Sequence, residues 1–296
     1  MSSLIEQAAH RLEQLRQAGV TMPEPALRVQ STATTPEPAR EAQSAHLSRK
    51  VEIDLEALAQ AGIVSPNMPR TEIADQFRVI KRPLISNAMG KGASTIANGN
   101  LIMVTSSLPG EGKTFTAINL AMSIATELDY TVMLVDADVS RPSIMKVLGL
   151  PAGPGLLDLV LDDAKELSSM LLRTNIDKLT LLPSGTPHPR ATELLASDAM
   201  IHLLDDVAKR YSDRIVIFDS PPLLLATESR ALASHMGQIV MVVQAEKTLQ
   251  SDVTHALATI EACPVKLMLL NQAKTLFKGG YEYGYGYGYG SAQPQT

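Results

Sequence analysis

The sequence has 296 residues, of which 45% are hydrophobic, with a formal net charge of −5 and a single cysteine. This length allows one large domain or two small ones, and the mildly acidic balance gives no indication of nucleic-acid binding. One cysteine excludes an internal disulfide. The sequence contains no run of 18 consecutive apolar residues, so no transmembrane helix is predicted. Because the N-terminus lacks the basic start and apolar run of a signal peptide, we predict a cytoplasmic protein.

Residues 1–20 are predicted to contain a short amphipathic helix. Ser3 and Glu6 have the spacing of a capping box, and Gly19 suits the end of the helix. Its apolar face indicates either a contact with a partner or a contact with its own domain, and the sequence does not distinguish the two.

Residues 21–69 are predicted to be a flexible linker with one short helix. The first part is rich in Pro, Ala, Ser and Thr, and the helix begins near Asp54 and ends at Gly62. A second helix is predicted over 71–81, with Pro83 limiting its end.

From residue 100 onward, apolar strands alternate with helical stretches. Near-continuous apolar strands between helices predict an α/β fold of the P-loop NTPase class, over 84–274, with a mostly parallel central sheet flanked by helices on both faces. The predicted strands are 101–105, 131–136, 179–182, 214–218, 238–244 and 265–271, and the predicted helices are 113–128, 191–210, 225–235 and 248–262.

A candidate phosphate-binding loop, Pro-Gly-Glu-Gly-Lys-Thr, occupies residues 109–114 between the first of these strands and the following helix. Gly110 and Gly112 allow backbone N–H groups to turn toward phosphate oxygens at a helix N-terminus. Lys113 would reach the β- and γ-phosphates, and the Thr114 hydroxyl would bind magnesium. Ser107 stands where the first glycine of G-x-x-x-x-G-K-[ST] belongs, so the match is incomplete. The predicted nucleotide contacts are Pro109, Gly110, Glu111, Gly112, Lys113, Thr114 and Phe115.

Acidic residues follow two of the predicted strands. Asp136 and Asp138 come after 131–135, and Asp219 comes after 214–218. Ligands of open parallel sheets bind at the carboxyl ends of the strands, so these carboxylates should converge on the loop. Asp219 fits a magnesium-holding role, while Asp136 and Asp138 are candidates both for metal binding and for accepting a proton. Arg141 would help to neutralise charge, and the alternative is that these aspartates only cap helices.

The C-terminal segment, 275–296, is predicted to be a flexible tail that carries phosphoryl acceptors. Its five alternating tyrosines would share one face of an extended chain, and the glycines between them make ordering costly. From Asn271 the last of them could travel roughly 60 Å, at about 3.3 Å per residue, which permits entry into a neighbouring subunit. The predicted acceptors are Tyr281, Tyr283, Tyr285, Tyr287 and Tyr289.

Together, the loop at 108–114, the Asp-x-Asp-x-x-Arg run at 136–141, the Asp-x-Pro-Pro run at 219–222 and the tyrosine cluster resemble the bacterial tyrosine kinases. Residues 76–84 and the start at 3–8 are similar to the tyrosine autokinases of exosortase-linked exopolysaccharide loci. The resemblance implies a protein-tyrosine autokinase that uses ATP and Mg²⁺, with Asn271 facing the adenine or merely ending its strand.

The resemblance also implies partners. The family's subunit-contact signature E-x-x-R-x-x-R is matched only as Asp75, Arg78 and Lys81, which implies an oligomerisation helix at 70–83 in a ring-like homo-oligomer with phosphorylation between subunits. A membrane polysaccharide chain-length-determinant protein would activate the kinase and recruit it to the inner face of the membrane. A cognate tyrosine phosphatase would reverse the reaction.

Two other functions fit parts of the sequence. A partition or division-site ATPase shares this P-loop branch, but it carries a signature lysine where this chain has Leu108, and it lacks a tyrosine tail. A nucleotide-binding scaffold with an adhesive low-complexity tail is the non-enzyme alternative.

Overall fold

The computed structural model describes residues 49–66, 71–92, 94–162, 164–210 and 213–274. The N-terminal helix predicted over 1–20, the first part of the linker and the tyrosine tail lie outside these residues. Among the described residues, no helix combines the length and the apolar character needed to cross a bilayer.

One eight-stranded sheet organises the described residues, in the order β1-β4-β5-β3-β6-β2-β7-β8. All neighbouring strands are parallel except β4 and β5. The strands are β1 (Arg49–Lys50), β2 (Leu101–Ser106), β3 (Thr131–Asp136), β4 (Leu172–Arg173), β5 (Leu179–Leu182), β6 (Arg214–Asp219), β7 (Gln238–Gln244) and β8 (Val265–Asn271).

Helices connect the strands. They are α1 (Leu55–Gln60), α2 (Glu72–Ala88), α3 (Lys113–Ala125), α4 (Ile144–Val147), α5 (Leu156–Leu161), α6 (Leu167–Met170), α7 (Ala191–Leu195), α8 (Asp198–Arg210), α9 (Thr227–Ala233) and α10 (Gln250–Ala258). Alternate residues of β2 face opposite cores: Leu101 and Met103 belong to one buried cluster, and Ile102 and Val104 belong to the other. The sheet is therefore covered on both faces, which explains why its strands are almost uniformly apolar.

The predicted fold class is confirmed, and all six predicted strands are present with ends that differ by at most one residue. The stretch 191–210 forms two helices, α7 and α8, instead of one. The short elements between β3 and β5 were missed because two- to six-residue segments carry too little periodicity to be recognised.

The predicted end of the second helix at Pro83 is wrong, because α2 continues to Ala88. A proline inside a helix leaves the carbonyl four residues earlier without its usual amide donor. Here that carbonyl belongs to Val79, whose side chain is exposed, so water can satisfy it. Leu84, directly after the proline, is fully buried, and its carbonyl accepts a hydrogen bond from Gln238 Nε2 at 3.0 Å. Tertiary packing thus outweighs the local cost.

The linker prediction is wrong for residues 49–66, which belong to the folded core. Leu58 and Ile63 are buried in the cluster on the α3 side of the sheet. Asn175 donates to the Ile53 carbonyl and accepts from the Ile53 amide, both at 3.0 Å. The short helix itself is confirmed as α1, capped by Asp54 and followed by Gly62 with φ of +76°.

Lys81 connects α2 to the C-terminus of α3. Its ammonium lies 2.7 Å from Glu127 Oε1 and donates to the Ser123 carbonyl and to Thr126 Oγ1 at 3.1 Å. A cation at this position also interacts favourably with the dipole of α3. The side chain is only 3% exposed, so the prediction that Lys81 contacts a second subunit is wrong.

Replacing Lys81 with Met should therefore destabilise the fold by about 1–3 kcal/mol, because the buried carbonyl and the carboxylate of Glu127 lose their cation. Urea unfolding followed by circular dichroism measures the change. Arg82→Met, on the exposed face of the same helix, is the matched control and should leave the midpoint nearly unchanged. Equal midpoints for the two variants would contradict the assigned role of Lys81.

Candidate nucleotide-binding site

The loop between β2 and α3 has the backbone of a phosphate-binding loop. Gly110 and Gly112 adopt left-handed conformations with φ of +85° and +93°, and Gly112 is the residue that precedes the first turn of α3. A Cβ at Gly112 would lie 2.1 Å from Asn271 Nδ2, so both the backbone and the space require glycine. The N-terminus of α3 therefore points its free amides into the region predicted for phosphates.

Glu111 stabilises the loop from inside. Its side chain is buried, one carboxylate oxygen accepts from the Leu108 amide at 2.7 Å, and the other accepts from the Thr248 hydroxyl. Thr248 belongs to the connection between β7 and α10, so this contact links the loop to a distant part of the chain. The Glu111 carboxylate is thus engaged within the protein and does not face the nucleotide region.

Side-chain amides at the end of β8 donate hydrogen bonds to the carbonyl groups of the same loop. Asn271 Nδ2 donates to the Glu111 carbonyl at 2.9 Å, and Gln272 Nε2 donates to the Gly110 carbonyl at 3.2 Å. Gln244 Nε2 in turn donates to Gln272 Oε1 at 2.6 Å. The predicted alternative roles of Asn271, an adenine contact or a strand end, stay predictions, and its amide now has a third role as a brace.

The three predicted aspartates converge beside the loop. Asp136 and Asp219 are paired residues at the carboxyl ends of the neighbouring strands β3 and β6. Lys113 Nζ lies 2.9 Å from Asp138 Oδ2, and Asp138 Oδ1 accepts from the Arg141 amide at 3.1 Å. The sequence-based expectation that these groups meet at one edge of the sheet is therefore met.

Burial controls the charge of two of these carboxyl groups. It raises the pKa of Asp219 to about 7, although the positive charge of Lys113 acts in the opposite direction. It also raises the pKa of Asp136 to about 6, against the lowering effect of hydrogen bonds from the Ile144 and Ser143 amides. Both groups thus change their charge close to neutral pH.

Several carboxylate oxygens remain available for a cation. Both oxygens of Asp219 and Oδ1 of Asp136 are buried. None of these three atoms has a hydrogen-bond partner among the described residues. The Thr114 hydroxyl lies 3.1 Å from Ser143 Oγ at the same end of the sheet. Oxygen ligands of this kind suit Mg²⁺, which keeps several water and phosphate oxygens in its shell. The described residues contain no group of three or more His, Cys, Asp or Glu placed to hold a metal ion.

A cleft of about 380 Å³ opens beside Lys113. Asp138 and Arg141 line it, together with Pro109 and Gly110 of the loop and Pro221 and Pro222 after β6. Its far wall includes Glu228, whose carboxylate accepts from the Ser140 hydroxyl at 3.0 Å. Asp138 is thus the aspartate that faces the open side, while Asp136 and Asp219 lie deeper.

Some predicted residues lie elsewhere. Phe115 lines an apolar groove with α2 and β8, away from the cleft. Asp75 and Arg78 form an ion pair with each other on the surface of α2, and their predicted role between subunits stays a prediction. The five tail tyrosines lie outside the described residues. The residues that the sequence did not reveal are Ser143, Glu228, Thr248 and Gln272, because each acts through a tertiary contact and belongs to no motif.

Comparison with known proteins agrees with this geometry. A family model described as AAA domain matches residues 99–271. Tyrosine-protein kinase YwqD of Bacillus subtilis is 30% identical over 226 residues, which cover 76% of this chain and 91% of YwqD. Tyrosine-protein kinase Wzc of Salmonella typhimurium is 30% identical over 190 residues, but these cover 64% of this chain and only 26% of Wzc. The crystal structure of the chimerical protein CapA2B2 gives a TM-score of 0.59 at 28% identity and covers 75% of this chain and 93% of that one.

The fold and the loop define a P-loop protein of the α/β class, built on a mostly parallel sheet. Within that class, the chain belongs to the bacterial tyrosine-protein kinases, as the similarity to YwqD over 91% of the length of YwqD shows. The resemblance to the bacterial tyrosine kinases that the sequence motifs indicated is therefore confirmed. Because the chain spans about a quarter of Wzc, what Wzc does as a whole protein cannot be transferred directly.

Removing the Thr248 hydroxyl should loosen the phosphate-binding loop. In Thr248→Val the buried Glu111 carboxylate loses one donor, and we expect nucleotide affinity to fall about 3–10-fold, the equivalent of roughly 1 kcal/mol. Titration with a fluorescent ATP analogue measures it. Thr254→Val, on the exposed side of α10, is the control; if both variants bind like the parent protein, the brace is not important for binding.

The raised pKa of Asp219 predicts a specific dependence of stability on pH. The folded protein retains this proton up to about pH 7, whereas the unfolded chain releases it near pH 4, so the free energy of unfolding falls as pH rises between these values. Asp219→Asn has no proton to release at this position, so its free energy of unfolding should not show this decrease between pH 4 and pH 7. We expect its Tm, relative to the parent protein without nucleotide, to be nearly equal at pH 4 and higher by a few degrees at pH 8.

Differential scanning fluorimetry at both pH values tests this expectation. Asp213→Asn, an exposed carboxylate just before β6, is the matched control and should show no gain that depends on pH. A constant offset between Asp219→Asn and the parent protein at every pH would contradict the assigned protonation. The asparagine variant should also lose the stabilisation that Mg²⁺ and nucleotide give the parent protein.

Proposed function

We propose that this protein is an ATP-dependent tyrosine autokinase that phosphorylates its own C-terminal tyrosine cluster. One observation carries the proposal: the chain that contains the Lys113 cleft also carries five alternating tyrosines, and the first of them, Tyr281, is ten residues beyond Asn271, which braces the phosphate-binding loop. The names of YwqD and Wzc, both tyrosine-protein kinases, support the same reaction class.

In the proposed reaction, the loop amides and Lys113 hold and orient the β- and γ-phosphates of ATP. Thr114, Asp136 and Asp219 offer the oxygens that would hold Mg²⁺, which when bound supplies neutralisation of phosphate charge. Arg141 lines the cleft and would add a further positive charge near the transferred group. Most of the catalytic effect would thus come from positioning and charge.

Asp138 is the carboxylate we assign as proton acceptor. Of the three aspartates it is the one that lines the cleft, where a tyrosine could approach. Phosphate oxygens would compete with it for Lys113, which leaves Oδ2 of Asp138 free for the phenol. A phenol with a pKa near 10 is protonated at neutral pH, so its proton would pass to Asp138 as its oxygen bonds to the γ-phosphorus. The bond from that phosphorus to the bridging oxygen breaks, and ADP leaves.

The setting of the reaction is also a proposal. The reach of the tail permits phosphorylation between subunits of a ring-like oligomer, in which the exposed Asp75–Arg78 face of α2 would contribute a contact. The similarity to the exopolysaccharide-linked branch supports a role in exopolysaccharide synthesis or export. A membrane chain-length-determinant protein would recruit the kinase to the membrane, and a tyrosine phosphatase would reset the tail.

The partition-type ATPase remains a weaker candidate. It requires a lysine where this chain has Leu108, and the Leu108 amide instead donates to Glu111 inside the loop. The scaffold alternative accounts for the tail but gives no reason for unpartnered carboxylate oxygens beside a phosphate-binding loop. The kinase proposal accounts both for the phosphate-binding loop with its carboxylates and for the tyrosine tail.

Replacing Lys113 with Met should abolish transfer of radiolabel from γ-labelled ATP to the protein, because the phosphates lose their main cation. Replacing all five tail tyrosines with Phe should remove at least nine-tenths of the label while ATP binding stays intact. Tyr130→Phe, at a tyrosine before β3, is the matched control and should label like the parent protein.

Phosphosite mapping by mass spectrometry identifies the acceptor positions. Label that persists in Lys113→Met would refute the assigned site. Label retained after all five Phe replacements, but lost in Lys113→Met, would refute the acceptor assignment alone.

A further inference from the structure

Within the described part of the chain, the outer edge of β8 is a sheet edge that no other strand covers. β8 is the last strand in the sheet order, and its seven residues pair only with β7 among the described residues. Edge strands of natural sheets are usually short, charged, kinked or interrupted by proline. β8 has no proline, and its only charged side chain is Lys266, near its start. A row of backbone donors and acceptors is therefore open to another strand.

The side chains of β8 also expose apolar surface. Met268 and Leu270 alternate along the strand, so they share one face, and they are 51% and 65% exposed. They border a cleft of about 340 Å³ next to α10, whose wall includes Val253. Leu267 and Leu269 alternate with them and pack toward the opposite face, and all four side chains border a groove of about 580 Å³ against α2. An open edge between two apolar grooves is what strand addition requires.

The sequence that follows β8 suits this edge. It begins at the end of β8, and the tyrosines of 281–290 alternate with one glutamate and four glycines, which is the period of a strand. No proline occurs between β8 and residue 294. Residues 272–280 are enough to reverse the chain direction, and Gln272 already has a left-handed backbone with φ of +57°. Residues 281–287 equal β8 in length.

We propose that residues 281–287 dock on β8 of the same chain as an antiparallel ninth strand. The tyrosine rings would cover Met268 and Leu270, while Glu282 and the glycines would face the α2 side. The connection is short, so the local concentration of the tail is high, and this offsets the entropy of ordering its glycines. Aromatic rings opposite aliphatic side chains are favourable cross-strand pairs.

Docking would regulate the kinase, a consequence that rests on the proposed function. Tyrosines held on β8 are withheld from the cleft, so the docked tail is a store of unmodified acceptors. A phosphate adds about −1.5 to −2 charges, which oppose burial against Met268 and Leu270. Phosphorylation would therefore release the tail and leave it undocked.

Hydrogen exchange with mass spectrometry tests docking on the full chain without nucleotide. In the parent protein, we expect the outward-facing amides of β8 to exchange at least 10-fold more slowly than in Gly284→Pro/Gly286→Pro, where two prolines disrupt the added strand. Gly290→Pro, beyond the docked residues, is the control and should match the parent protein. Equal exchange in the parent protein and the double proline variant would overturn the proposal.

Two further arms separate the alternatives. The variant with five Phe replacements cannot accept phosphate, yet it should keep the slow exchange because its rings still pack on β8. Docking is thus measured independently of kinase activity. Protection should also be unchanged when the protein is diluted 10-fold; protection that weakens on dilution would assign the docked tail to a second copy and overturn the same-chain assignment.

Discussion

The structure depends on one electrostatic constraint: three carboxyl groups share the carboxyl edge of the sheet with a single lysine. Parallel pairing of β3 with β6 places Asp136 opposite Asp219, and the next loop adds Asp138 beside Lys113. Burial disfavours the charged forms of Asp136 and Asp219, and the neighbouring carboxylates add a smaller contribution, which is why the pKa values of both groups lie near neutrality. Among the described residues, both carboxyl oxygens of Asp219 and one of Asp136 thus have no hydrogen-bond partner, and binding of a cation with the nucleotide would relieve this cost.

The phosphate-binding loop, which carries Lys113 at its end, is also held by residues near the ends of β7 and β8. Its conformation depends on Glu111, whose buried carboxylate is held by Thr248, and on the side-chain amides of Asn271 and Gln272. A glycine-rich loop alone would sample many conformations, since glycine loses more entropy on ordering than any other residue. The loop is therefore fixed by residues 130 or more positions later in the chain, which lie next to the ends of β7 and β8.

Much of this architecture could be predicted from sequence because it is encoded locally. The strands are continuous apolar runs, the Gly-Lys-Thr turn follows one of them, and Asp136 and Asp219 mark the ends of two others. The features that could not be predicted depend on long-range packing. Pro83 indicates a helix end by local rules, yet burial of Leu84 carries the helix onward. The match of Lys81 to the family's subunit-contact signature suggested a contact with a second subunit, and only the position of α3 shows that this side chain is buried.

The position of β8 gives the tail two alternative places to bind on the same domain. Its root at Gln272 is hydrogen-bonded to the loop that would hold the phosphates, so the acceptor segment starts close to the donor site. The open edge and the exposed Met268 and Leu270 offer that segment a second place to bind, directed away from the cleft. Phosphorylation would shift the balance between the two sites, because the charge of a phosphotyrosine opposes burial against the apolar side chains of Met268 and Leu270.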